Sequence, residues 1–154
     1  MAIEVGQEAP DFNVRSHSGT EVRLSDFRGK QNVVLVFYPF TFTGVCQGEL
    51  CSIRDNPAAF KTADAQVMAI SCDSTFAQSE WATQQGYDFP LLSDFWPHGA
   101  VSMAYGVFDD KLGCATRATF VIDKKGVVTD VLSSPNLGTP REKAAYDAAL
   151  AKLA

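Results

Sequence analysis

The residues best suited to chemistry lie together in Pro39-Phe40-Thr41-Phe42-Thr43-Gly44-Val45-Cys46. A cysteine attacks as its thiolate, so its surroundings decide whether it is reactive or inert. Cys46 follows a strand and loop and opens a helical run to Arg54, with Leu50, Ile53 and Arg54 at helical spacing. The first turn of a helix offers N–H groups without intrahelical partners and the positive end of the backbone dipole. Both favour negative charge on sulfur. Thr43, three residues earlier, can donate its hydroxyl to the thiolate or to a bound oxygen. Pro39 has a fixed φ and no N–H, and would shape and dry one wall of a pocket. Gly44 would let the backbone approach closely. An arbitrary cysteine here reads as a buried structural residue; the proline, threonine and glycine around this one point to a nucleophile.

Elements on either side must hold that segment in place. Val33-Val-Leu-Val-Phe-Tyr38 is a continuous apolar and β-branched run, which suits a central strand buried on both faces and stopped by Pro39. Gln66 to Cys72 reads as a second buried strand. Asp73-Ser74-Thr75 supplies caps for a helix through Glu80, Trp81 and Gln85, closed by Gly86. Phe89 to Leu92 reads as a short strand and Gly99 to Tyr105 as a short helix. Two strands, Thr119 to Ile122 and Val127 to Leu132, flank the turn Asp123 to Gly126. An alanine-rich helix from about Arg141 to Leu153 closes the chain. This order predicts an α/β, thioredoxin-like layout: a mixed central sheet with helices on both faces. Residues 1 to 30 form an N-terminal extension with further short strands, including Val22 to Leu24.

Length and composition fit a single globular domain over residues 1–154: 46% of residues are hydrophobic and 20% charged, with no repeat or linker. The net charge of −5 is spread among interspersed acidic and basic residues, which argues against nucleic-acid or anionic-membrane partners. The N-terminal residues show no signal-peptide pattern, and the run Val33 to Phe40 is too short to span a bilayer, which takes about 20 residues. A cytoplasmic protein with reduced cysteines is the expectation. No Gly-rich phosphate loop is present, so no nucleotide cofactor is implied. His17, His98 and the four cysteines show no metal-ligand spacing, so no metal is expected either.

The pattern Pro39, Thr43, Cys46 resembles the active-site signature of the peroxiredoxins. The similarity extends to Ala9-Pro-Asp-Phe12, Leu24 to Lys30, Val67 to Ser74, Phe89 to Asp94, Tyr105-Gly-Val107 and Arg117 to Asp123. Phe42 to Leu50 and Phe89 to Ala100 resemble the AhpE subgroup. The resemblance implies a thiol peroxidase acting on hydrogen peroxide, organic hydroperoxides and peroxynitrite. Cys46 would be the peroxidatic cysteine and pass through a sulfenic acid. Arg117 would hold both thiolate and peroxide with its guanidinium fork, against the plain alternative of a solvated strand-end arginine. Thr43 would bind substrate with the amides of Val45 and Cys46. Glu49 would position the arginine, or lie on the surface. A homodimer formed near the active-site loops is also implied, with Phe42 and Phe95-Trp96-Pro97 as contacts. Phe40, Phe42, Trp81, Phe95 and Trp96 would belong to the core or an interface, or else form an apolar mouth.

Cys51 departs from the AhpE pattern and has the spacing of the bacterioferritin-comigratory (PrxQ) subgroup, whose second cysteine resolves the first. Residues five apart on a helix differ by about 140° and roughly 7.5 Å along the axis. A disulfide needs Cα atoms about 4.4–6.8 Å apart, so the first turn would have to unwind. Packing on the inner helix face is the other reading of Cys51. External reductants would be thioredoxin, a mycoredoxin or a low-molecular-weight thiol. Cys72 reads as core, and Cys114 as a loop thiol and a remote resolving candidate. A thioredoxin-type oxidoreductase would require Cys-x-x-Cys, which is absent. A non-catalytic redox-sensing or chaperone-like module would keep the fold but not need Thr43 and Arg117.

Overall fold

The computed structural model describes residues 2–153. Its centre is a strand of β-branched and aromatic residues, Asn32–Phe37 (β3), in which every residue is buried. An antiparallel ribbon of Asn13–Arg15 (β1) and Glu21–Arg23 (β2) precedes it. Helices Gly44–Arg54 (α1) and Pro57–Thr62 (α2) lead to Ala65–Ser71 (β4), which pairs parallel with β3. Thr75–Gln85 (α3) then crosses to Leu91–Ser93 (β5), also parallel. After Ala100–Ala104 (α4) come two small strands, Phe108–Asp109 (β6) and Cys114–Ala115 (β7), paired with each other. Ala118–Ile122 (β8) and Val128–Ser133 (β9) are antiparallel, and Lys143–Ala151 (α5) follows. The main sheet runs β5-β4-β3-β8-β9.

Alternation along β3 divides the core. Val34, Val36 and Tyr38 pack with Leu50 and Ile53 of α1, Phe60 of α2, Trp81 of α3, and Tyr146 and Leu150 of α5. Val33, Leu35 and Phe37 face the other way, onto Val101 of α4, Tyr105 at its end, and Phe12 and Leu24 of the N-terminal segment. Burial on both sides is why this strand is an unbroken apolar run rather than an alternating one. The mixed sheet with helices on both faces is the architecture expected from the element order.

Helix α3 ends as its sequence suggests. Ser74 Oγ accepts from the Ala77 amide at 3.2 Å, and Gly86 takes a left-handed φ of 67° at the other end. Gly126, with a φ of 83°, turns the hairpin between β8 and β9. Three elements differ from expectation. Helix α2 and the β6–β7 hairpin are too short to carry a periodic signal, so Cys114 lies in a strand rather than a loop. The last helix starts at Lys143, two residues after Arg141, because Arg141 is drawn into the interior.

Candidate active site

Three elements converge on Cys46. Tyr38 donates its amide to Ile70 O at 3.1 Å, and the buried Pro39 follows it. Thr43 is the N-cap of α1, which makes Cys46 the third helical residue, with its amide in the unpaired first turn. Phe37 of β3 lies opposite Ala118 of β8, and this register brings Arg117, one residue before β8, to the same end of the sheet.

There Arg117 Nη1 donates to Cys46 Sγ at 3.1 Å and to Glu49 Oε1 at 2.8 Å. Its Nε donates to Leu137 O at 2.6 Å. Cys46 is fully buried, and the Arg117 and Glu49 side chains are only 4% and 6% exposed. Arg117 is therefore not a solvated strand-end residue, and Glu49 is not a surface glutamate. Glu49 lies three residues after Cys46, so both point from the same face of α1.

Arg141 completes the group and was not legible as a site residue. Its Nε and Nη2 donate to Glu49 Oε2 and Oε1 at 2.9 and 3.0 Å, and its backbone N–H donates to Oε2 at 2.7 Å. Nη1 donates to Phe37 O at 2.7 Å, pinning the end of β3. Burial alone would push the Glu49 carboxyl up. Hydrogen bonds from Arg141, its charge and that of Arg117 outweigh burial and hold Glu49 below the ordinary carboxylate range. Two guanidinium groups and one carboxylate are thus buried together beside Cys46, leaving one positive charge in excess.

Thr43 and Gly44 differ from expectation. The Thr43 hydroxyl donates to Phe40 O at 2.6 Å, not to sulfur, because its side chain closes the loop behind the helix start. Its oxygen keeps lone pairs free to accept from a peroxide O–H. A Cβ built on Gly44 meets nothing within 4 Å, so no close approach requires glycine there. Val45 is half-buried beside Cys46.

A family model described as "AhpC/TSA family" matches residues 5–131. Alkyl hydroperoxide reductase E of Mycobacterium tuberculosis is 51% identical over 126 residues, covering 82% of each chain. The chain belongs to the AhpC/TSA family of peroxiredoxins. Among solved structures, peroxidoxin BcpB from Mycobacterium tuberculosis superposes with a TM-score of 0.86 at 36% identity, covering 98% of this chain and 96% of that one. The reduced 2-Cys peroxiredoxin of Plasmodium vivax gives a TM-score of 0.87 at 29% identity, covering 97% and 81%.

Of the cysteines of this peroxiredoxin, Cys46 is the one that accepts a hydrogen bond from Arg117. Cys51 is half-buried, with Sγ 3.6 Å from both Gln85 Oε1 and Tyr87 Oη, on the flank of α1 that meets the end of α3. Cys72 and Cys114 are buried, and burial pushes their thiols up to about 12 and about 11. Trp81 is fully buried against Tyr38 and Tyr87, so it belongs to the core and not to a mouth. Phe42, Phe95 and Trp96 are exposed, and Phe76 joins them at 86% exposure. His98 is held between Phe95 O and Gly113 O, at 3.2 and 2.7 Å from its ring nitrogens.

Proposed function

We propose that this peroxiredoxin is a thiol-dependent peroxidase, acting as one domain over residues 1–154 with Cys46 as its nucleophile. The observation that carries the reading is the 3.1 Å hydrogen bond from Arg117 Nη1 to Cys46 Sγ, inside a buried site at a helix N-terminus. The Cys46 thiolate attacks the terminal oxygen of a hydroperoxide. An S–O bond forms as the O–O bond breaks, and the departing alkoxide or hydroxide takes a proton to leave as alcohol or water. Cys46 is left as a sulfenic acid. Negative charge passes from sulfur to the leaving oxygen, and Arg117, kept in place by Glu49 and Leu137 O, faces it throughout. The amides of Val45 and Cys46 donate to the peroxide oxygens, and the Thr43 oxygen accepts from the peroxide O–H. Pro39 backs the site.

An external thiol, whether thioredoxin, a mycoredoxin or a small thiol, then reduces the sulfenic acid. The unbroken helix from Gly44 to Arg54 and the seat of Cys51 against Tyr87 and Gln85 favour this route. One observation favours a Cys46–Cys51 disulfide instead: Cys51 is the least buried of the remaining cysteines. Exposed Phe42, Phe76, Phe95 and Trp96 support a homodimer. No described helix is long and apolar enough to cross a membrane, and we place the protein in the cytoplasm.

The reading is tested by treating reduced protein with one equivalent of hydrogen peroxide and measuring intact mass. A gain of one oxygen, absent in Cys46→Ser, is expected. A loss of two hydrogens that disappears in Cys51→Ser would transfer resolution to Cys51. Peroxide left unconsumed would refute the peroxidase itself.

A further inference from the structure

We propose that Asp73 is a positioning residue for Cys46, acting through the backbone of the loop that precedes α1. The inference rests on the peroxidase reading of Cys46 and extends it to a residue outside the Arg117 group. Asp73 follows β4 and reaches across to the loop, where its Oδ2 accepts the Thr41 N–H at 2.8 Å. The same oxygen accepts from Ser71 Oγ at 2.7 Å. Ser71 Oγ in turn accepts from the buried Gln78 Nε2 at 2.9 Å, and Gln78 Nε2 also donates to Leu92 O at 2.8 Å. Gln78, held on the sheet through Leu92 O, thus donates to Ser71, and Ser71 donates onward, converging with the loop amide on one carboxylate oxygen. On its other side, the buried Thr41 hydroxyl shares a 3.0 Å hydrogen bond with Tyr38 Oη.

The loop needs such an anchor. Thr41 is 8% exposed, whereas Phe40, Phe42 and Thr43 around it are exposed. Phe42 has a φ of 66°, a left-handed conformation that a bulky residue keeps only where its neighbours are fixed. Thr43, the next residue, caps α1 and sets the direction of the Val45 and Cys46 amides. Releasing Thr41 lets Phe42 relax to negative φ. The start of α1 then shifts relative to Arg117, which is anchored separately on Leu137 and Glu49. Thiolate, amides and guanidinium lose their common focus on the peroxide oxygens.

The test compares Asp73→Ala and Asp73→Asn with wild type in two reactions of Cys46, oxidation by hydrogen peroxide and alkylation by iodoacetamide. Alkylation needs the thiolate but no aligned oxygen site, so a positioning defect separates the two. Asp73→Ala is expected to slow oxidation about 10- to 100-fold while alkylation changes little. Asp73→Asn keeps a carbonyl with two lone pairs for Thr41 and Ser71, and is expected to restore oxidation. Equal loss of both reactions, or unchanged oxidation in a folded Asp73→Ala, overturns the proposal. Wild-type protein that alkylates but ignores peroxide overturns the peroxidase reading and this inference with it. Should Asp73→Ala not fold, hydrogen exchange of the Thr41 amide in wild type decides: protection beyond that of the Phe42 amide supports the clamp, and equal exchange overturns it.

Discussion

Replacing Arg141 with methionine tests whether a residue that never touches sulfur holds the site together. Methionine keeps most of the side-chain length and apolar volume but none of the donors. Three side-chain hydrogen bonds are lost, two to Glu49 and one to Phe37 O, from a side chain only 1% exposed. Glu49 retains Arg117 Nη1 and the backbone N–H of residue 141. Breaking a buried ion pair from one side costs about 3–5 kcal/mol, and the surviving Arg117 partner places this case near the lower end. At about 2–4 °C per kcal/mol for a chain of this size, the midpoint should fall roughly 6–12 °C. Urea unfolding should show a lower midpoint with an unchanged slope, since the surface exposed on unfolding is the same. Peroxide oxidation of Cys46 should slow on the order of tenfold, because Glu49 no longer fixes the Arg117 fork. A double-mutant cycle with Glu49→Gln should return a coupling of about 0.5–3 kcal/mol. A variant that melts and oxidises like wild type would refute the idea that Arg141 holds Glu49.

Stability should depend on pH through Glu49. Its folded carboxyl is held below the usual value of 4.5, so its contribution is fully present above that value and is lost as pH falls through the lower folded one. Urea unfolding across that acid range should show a fall in stability that Glu49→Gln reduces; parallel curves would contradict the assignment. Cys72 and Cys114, with thiols raised to about 12 and about 11, should resist iodoacetamide in the native protein and label only on unfolding. Peptide mapping checks this, and native labelling of either would count against it. Phe42→Arg should shift sedimentation from dimer to monomer if the exposed aromatic face is the interface; an unchanged dimer removes Phe42 from it.

How much was legible depended on how local the cause was. The apolar run Val33 to Tyr38 announces a strand buried on both faces, and Ser74 and Gly86 announce the ends of α3 by their own chemistry. Pro39, Thr43 and Cys46 lie within one strand–loop–helix passage, so their spacing alone places a thiol at a helix start. Arg117 and Glu49 had plausible surface roles in the sequence, and resemblance to a family, not spacing, picked them out. Only the pairing of Phe37 with Ala118 brings Arg117 to Cys46, and only the tertiary fold buries it.

Arg141 and Asp73 show where the sequence stops. Arg141 sits at the edge of an alanine-rich helix, where a basic residue usually meets solvent. It turns inward because Glu49, far away in sequence, is buried with too few donors of its own. Asp73 reads as part of a helix cap, yet its carboxylate serves the Thr41 amide on another loop. Even Thr43, which the motif sets three residues before Cys46, turns its hydroxyl to Phe40 O, because the nearest acceptor was set by the loop's path. The sequence by itself placed Cys46, the buried strand behind it and the helix it opens, since each follows from neighbours along the chain. The tertiary structure decided which charges face that thiol and which groups hold its loop, since buried partners are chosen by distance in space.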